Sequence, residues 1–493
     1  MLARRLASLP LAALLLAGNV RADSAVETST PGPSPASNGS AATPTQQSGP
    51  LSLADAVELA LARNHDVLMA SLTALQSEQS YLSTRAAILP NLNFNASTGV
   101  NRSGSSDAQT STLLGHVVQI PAQPASVYGN FGFGLTFSQL IFDGGAWWNN
   151  LEAAALSFHA QQETAQEQRL QTTYQVTQAF LELVRAQKQL AVLEDAARRS
   201  RDQTEFEEKL YAGGKAAQAD VYASRSNRDN DELNRLSGTA LVEQNRFALA
   251  TLLGADPSTP LAIVEPSELK ELPLPPPPAA RAVELALSTR PSLRAYEHAL
   301  AATRKTTTGL KGRYYPSLSA QAGYTRNSQN IGDIVAPPGE KSNLSATLVL
   351  NWNIFNGFAD QSSIRRSELL AESNENDLMQ GKRQVASDVN TAISNLAGAR
   401  QRAQVAGQSE DTAREGLRLA KARQAVGVGT VLDVRDAELK LTQAQLAHVN
   451  ALVDGREQLA ALKRAMGADP QSLGTSAASG TNEISVPVRN IGG

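Results

Sequence analysis

The same plan is written twice along this chain, and that duplication constrains the fold more than any other feature. Ala56-Val-Glu-Leu-Ala-Leu61 recurs as Ala282-Val-Glu-Leu-Ala-Leu287, 226 residues later, and Pro90-Asn-Leu92 matches Pro316-Ser-Leu318 at the same spacing. Ile141-Phe142-Asp143-Gly144 matches Ile354-Phe355-Asn356-Gly357 at a spacing of 213. Gly214 and Asp220 match Gly427 and Asp433 at that second spacing, and Leu253-Gly254 matches Met466-Gly467. A single length change between the Pro-x-Leu and Ile-Phe motifs accounts for both registers. Five ordered matches in two registers establish an internal repeat, which must be read before any local signal.

Each half reads helix, strand, loop, strand, long helix, turn, helix. The opening helices cover about 52–88, with Ser52 and Asp55 as a capping arrangement, and about 280–314. The long helices cover 146–212 and 359–425, contain no proline, and would each extend roughly 100 Å at 1.5 Å per residue. Gly213-Gly214 and Gly427-Val-Gly429 end them, and 219–254 and 432–467 return as antiparallel partners. The first repeat is therefore 51–254 and the second 280–467. The proline-rich linker 255–279 between them is expected to lie extended on the outside of the bundle.

The strands alternate with period two. Over 91–101, Leu92, Phe94, Ala96, Thr98 and Val100 oppose Asn91, Asn93, Asn95, Ser97, Gly99 and Asn101. Over 130–141, Phe131, Phe133, Leu135 and Phe137 oppose Gly132, Gly134, Thr136 and Ser138. The runs 317–325 and 343–354 repeat the pattern, with Tyr324, Leu344, Leu348 and Trp352 on the apolar face. Each is near the 9–11 residues that a tilted strand needs to cross a bilayer. A soluble sheet packed on helices shows the same alternation. Four strands cannot close a barrel, so a membrane sheet requires several copies: two give eight strands, three give twelve. The loops 102–129 and 326–342 would cap it outside the cell.

Residues 1–22 read as a secretory signal, with Arg4 and Arg5, the apolar run Leu6–Leu16 and Val20-Arg21-Ala22 as cleavage site. Residues 23–50 and 468–493 read as a flexible leader and tail. The 44 Lys+Arg and 47 Asp+Glu nearly balance, which argues against a nucleic-acid partner. Without cysteine there is neither a disulfide nor a lipidated N-terminal thiol. The histidines (His65, His116, His159, His298, His448) show no His-x3-His spacing, and no nucleophile elbow or phosphate loop occurs. No cofactor, metal or catalytic residue is expected, and an enzyme ranks last among the readings.

These residues resemble the TolC family of outer-membrane efflux and type I secretion proteins. The likeness rests on the duplicated plan, on Leu89-Pro90-Asn91-Leu92, on Leu140–Gly144 and Asn353–Gly357, and on the paired glycine turns. It implies an α+β membrane protein: a homotrimer whose four strands per protomer complete a 12-stranded barrel in outer-membrane lipid. Long antiparallel hairpins form the helical tunnel in the periplasm, and an inner-membrane pump and periplasmic adaptor engage it. The implied function is a passive exit duct for small toxic compounds. A type I protein-secretion duct and a soluble periplasmic coiled-coil scaffold are the alternatives.

The resemblance also places pore aspartates at Asp433 and Asp436, three residues apart on one helix face, with Asp220 as the first-half equivalent. In a trimer these would make carboxylate rings that attract cations. The competing reading is that they are helix N-terminal acids favoured by the dipole. The family's locking tyrosine and arginine fall on Gln424 and Gly429, which lack that chemistry. Arg435, between the two aspartates, is a candidate to neutralise them.

Overall fold

The computed structural model describes residues 50–113, 116–266, 275–330, 332 and 342–467. The expected signal 1–22, the leader 23–50 except Pro50, and the tail 468–493 lie outside these residues. In chain order the elements are α1 (Leu53–Arg63), α2 (His65–Ala86), β1 (Asn91–Ser103), β2 (Gln109–Leu113), β3 (His116–Ile120) and β4 (Ser126–Phe142). They continue with α3 (Ala146–Ala212), α4 (Gln218–Leu252), α5 (Ala279–Thr289), α6 (Pro291–Lys311), β5 (Ser317–Ser328), β6 (Ser342–Asn351), α7 (Ala359–Ala425) and α8 (Val431–Met466).

Ser52 opens α1 as expected: its Oγ accepts from Asp55 N at 3.2 Å, and Asp55 Oδ2 accepts from Ser52 N at 3.3 Å. The single helix expected over 52–88 is two helices, because Asn64 is extended (ψ 133°). Asn64 Oδ1 caps α2 by accepting from Asp66 N at 2.9 Å, while its Nδ2 donates to Leu252 O at 2.9 Å. The helix expected over 280–314 divides likewise at Arg290, whose backbone is pushed from the α region by Pro291. Arg290 is buried, donating from Nη1 to Ala465 O at 2.8 Å and from Nη2 to Glu167 Oε1 at 2.8 Å. Asn64 and Arg290 are equivalent positions of the repeat, as are Leu252 and Ala465. Different side chains thus perform one task, tying a helix break to the end of the returning helix.

The long helices α3 and α7 span 67 residues each, about 100 Å of helix. Along α7 the buried Val385, Val389, Ala392, Leu396, Ala399 and Ala403 step alternately by four and three. That is the seven-residue repeat of left-handed coiled packing, with small side chains letting the helices approach. Partners change along α3. Ion pairs Glu152–Lys305, Glu163–Arg294 and Glu167–Arg290 join its first part to α6. Arg185–Asp454 and Arg201–Glu232 join its second part to α8 and α4. Two apolar cores lie where the partners change. One gathers Ala56, Ala60, Val176, Phe180, Leu183, Leu249 and Leu253, and the other Ala282, Ala286, Leu293, Val389, Leu396, Leu462 and Met466. The linker touches the first core, through a parallel bridge between Leu51 and Ile263.

The strands form one antiparallel sheet in the order β1-β4-β5-β6. Its register sets Leu92 opposite Phe137, Phe94 opposite Leu135, Leu135 opposite Tyr324 and Tyr324 opposite Leu344, so the four apolar rows share a face. Among the described residues no helix covers that face: Phe94 is 66% exposed and Leu344 78%. The soluble arrangement, a sheet packed on its own helices, is therefore not the one adopted. On the other face the amides of Asn95 and Asn327 lie across Gly134 and Gly132, where a side chain would collide with them. Strand ends differ from expectation. β1 and β4 run on to Ser103 and back from Ser126, and the expected loop 102–129 also carries the hairpin β2–β3. β6 stops at Asn351 rather than 354, leaving Trp352, Ile354 and Phe355 exposed below the sheet. Among the described residues no helix is long and apolar enough to cross a membrane.

Where α3 meets α8, one guanidinium serves three carboxylates: Arg185 lies 3.1 Å from Glu182, 2.7 Å from Asp454 and 3.0 Å from Glu457. Burial pushes the Glu457 carboxyl up to about 7; Arg185 pulls it down, and Glu182 and Asp454 add to the rise. The native state therefore holds a proton that the unfolded chain releases near 4.5. This stabilisation is complete below about pH 4.5 and is lost as pH rises through about 7. Glu457→Gln, which mimics the protonated side chain, should melt above the wild type at pH 8 and lose that advantage at pH 5. Equal melting differences at both pH values would remove the buried acid from the account.

Candidate functional site at the helical turns

The ends of α3 and α7 are built alike. Gly214 and Gly427 take the left-handed conformation (φ 74° and 75°) that stops each helix. Lys215 N donates to Leu210 O at 2.8 Å, and Val428 N, its repeat equivalent, donates to Arg423 O at 3.0 Å. Six residues after each of these glycines an acid stands third in the return helix. Asp433 Oδ2 accepts from Thr430 N at 2.9 Å while Thr430 Oγ1 accepts from Asp433 N at 3.2 Å, a complete capping box. In the first half Asp220 Oδ2 accepts from Ala217 N at 3.2 Å, and Ala217 has no hydroxyl to answer.

Asp433 is solvent-exposed, and the Thr430 backbone N–H, then its hydroxyl, then Arg423 hold its carboxyl below the usual range. Asp433 stays ionised to more acidic pH than a free aspartate. Asp436 follows one turn on and pairs with Lys440 at 2.6 Å. Both aspartates line one groove between α7 and α8, together with Arg423, Lys440, Ser409 and Thr412. Asp220 is not part of it. It lines a separate recess between α4 and α8 with Ser224, Asn227, Arg435 and Glu438.

Arg435 does not neutralise the aspartates that flank it. Its guanidinium turns to α4, with Nη1 2.8 Å from Asp231 Oδ2, and both side chains are largely buried. Helix neighbours point apart by about 100°, so sequence adjacency brought no contact. Around this pair run further links: Arg199 Nη2 donates to Thr442 Oγ1 at 3.0 Å, and Lys421 Nζ lies 3.3 Å from the buried Glu438. Thr204 and Ser224 hydroxyls meet at 3.0 Å. Gln424 turns inward, its Nε2 donating to Glu207 Oε1 at 3.3 Å. Glu207 is buried, and that burial, with Asp220 nearby, raises its carboxyl. Gly429 donates its N–H to Arg423 O at 3.0 Å. Sequence reading missed Asp231, Glu207 and Glu438, since their partners lie on other helices and no local motif marks them. The tip itself exposes apolar groups: Val426, Val428 and Leu432 are about three-quarters exposed, and Tyr222 is exposed on α4.

The family model described as Outer membrane efflux protein matches residues 56–255 and 282–468. The chain belongs to that family. It is 27% identical over 334 residues to the outer membrane efflux protein BepC of Brucella suis, covering 66% of this chain and 70% of BepC. It is 22% identical over 416 residues to the outer membrane protein TolC of Vibrio cholerae, covering 82% and 89%. The crystal structure of the Campylobacter jejuni CmeC outer membrane channel shares the fold, with a TM-score of 0.72 at 18% identity over 84% of this chain and 85% of that one.

Replacing Arg435 with Ala removes the hydrogen-bonded partner of the buried Asp231, with the charge of Arg199 still nearby, a change that costs about 3 kcal/mol at comparable sites. Amide exchange of α4 and α8 around the pair should then speed by about 100-fold. Unchanged exchange would show that the pair does not hold these helices together.

Proposed function

We propose that the chain is the outer-membrane exit duct of a tripartite efflux system, working as a homotrimer. The observation that carries the reading is the uncovered sheet. Among the described residues its apolar face is covered by no other element, and β1 and β6 each pair with a strand on one side only. In hydrocarbon each unpaired group costs several kcal/mol, so the edges must meet strands of other copies. The order of four antiparallel strands makes β1 and β6 run oppositely, so an edge-to-edge junction is antiparallel, like every pairing within the sheet. Three copies give twelve strands around a face of Asn, Ser, Thr, Gln and Gly, suited to a water-filled passage. Arg102 and Arg326 join the apolar rows only at the loop end, where a tilted strand leaves the hydrocarbon. Trp148, Tyr314, Tyr315, Trp352, Phe355 and Phe358 are exposed at the opposite end, an aromatic belt suited to the inner interface.

The helices then form the periplasmic tunnel, and the α3–α4 and α7–α8 turns its entrance. There the exposed Val426, Val428 and Leu432 suit contact with a periplasmic adaptor and an inner-membrane pump, which supplies the energy. The duct performs no chemistry, and its cargo is small toxic compounds. Asp433 and Asp436 supply the entrance with negative charge that selects and retains cations. Asp220, turned into the recess between α4 and α8, has a lesser part.

Membrane fractionation followed by native mass in detergent tests the assembly. The expected species sediments with the outer membrane and contains three chains, whereas a water-soluble monomer would overturn the duct. The charge assignment is tested separately in planar bilayers with hexaamminecobalt(III). The double variant Asp433→Asn, Asp436→Asn should weaken block by roughly tenfold, as expected for loss of about 1.4 kcal/mol of cation attraction. Block unchanged by the double substitution would leave the two aspartates as helix-terminal acids alone.

A further inference from the structure

Along the seam between α3 and α6 the side chains meet in rungs. Glu152 faces Lys305 at 2.8 Å, Glu163 faces Arg294 at 3.6 Å, and Glu167 faces Arg290 at 2.8 Å. Each of these sets an acid against a base. Between the first and second stands a rung of two like groups, His159 and His298, whose ring centres are 5.6 Å apart with planes inclined by 38°. They are 139 positions apart in the chain, so no local spacing announces them; antiparallel packing of α3 on α6 brings them together.

The rung has the features of a metal-binding pair. Zinc binds imidazole nitrogen at 2.0–2.1 Å, so two imidazoles on one tetrahedral ion have ring centres roughly 5–5.5 Å apart, close to the observed separation. His159 Nδ1 lies 3.1 Å from Gln162 Oε1, an atom that can only accept. The tautomer that makes this hydrogen bond carries its proton on Nδ1 and leaves Nε2 the nitrogen available to a metal. Holding the second nitrogen by an acceptor is the usual support for a metal-bound histidine. Phe158 packs beside His159, ring centres 5.7 Å apart, and further limits the imidazole. Among the described residues no nitrogen of His298 has a hydrogen-bond partner.

We propose that His159 and His298 bind a divalent transition-metal ion of imidazole preference (Zn²⁺, Ni²⁺ or Cu²⁺) that bridges α3 and α6 within one chain. Among the described residues no three metal-capable side chains converge. Water therefore fills the remaining positions. Hard cations such as Mg²⁺, which prefer oxygen, should not compete. The bridge lies within a single chain and does not depend on the proposed trimer or on the charge of its entrance.

The test is calorimetric titration of full-length, untagged protein in detergent with Zn²⁺ in the presence of excess Mg²⁺. One saturable site per chain is expected. His159→Gln and His298→Gln should each weaken it by at least about tenfold, while His448→Gln, on the distant α7–α8 seam, should retain it. No saturable binding, or binding indifferent to both substitutions, overturns the proposal. Zinc X-ray absorption of the loaded wild type supplies a readout independent of the variants' folding. Two imidazoles on the ion are expected, and one or none overturns the bridge.

Discussion

A helix of 67 residues exposes apolar surface along its whole length unless something follows it, and among the described residues no other helix is as long as α3 or α7. Each must therefore be covered by a succession of shorter partners: α2 and α6 along one stretch of α3, α4 and α8 along the other. The hand-over is the difficult place, because four helix ends with unpaired backbone groups meet there. The chain resolves it twice, with Asn64 bonded to Leu252 O and with Arg290 bonded to Ala465 O. The two apolar cores gather at the same level, so the ends are held by polar bonds and covered by apolar packing at once.

That arrangement frees the sheet from any duty of covering helices. Among the described residues its apolar rows are covered by no other element, and its two outer strands each pair on one side only. A sheet in this state is unsuited to water and suited to lipid only if other copies complete it. The proposed trimer is thus the consequence of a helical body that leaves the sheet uncovered. The glycines opposite Asn95 and Asn327 belong to the same design, since a face crowded by side chains would not leave a passage.

At the helical turns, two readings of one aspartate prove compatible. Asp433 completes a capping box, which accounts for its place in the helix, and the same bonds keep it ionised. A side chain fixed by its own backbone turn can still present charge to solvent, and a lowered pKa makes that charge more dependable. Asp436 has no such anchor and shares its charge with Lys440. The links that hold the turns together are elsewhere, in Arg435–Asp231, Lys421–Glu438 and Gln424–Glu207, each joining different helices.

The repeat, the alternation of the strands and the glycine stops are local or periodic facts, so the sequence alone determined the order of the four sheet strands and the long hairpins, the 67-residue helices and the two faces of the sheet. The family resemblance rested on the same features, and the Outer membrane efflux protein match spans both repeats. The break at Arg290 has a local cause in the Pro291 that follows it, whereas the break at Asn64 was hidden because its side chain bonds a carbonyl far along the chain, Leu252 O. The turn of Arg435 away from its neighbouring aspartates, the three carboxylates around Arg185 and the meeting of His159 with His298 were hidden for one physical reason. Periodicity states which face of a helix is apolar, but which polar side chains meet across a seam depends on the axial offset of two helices. Only tertiary packing sets that offset.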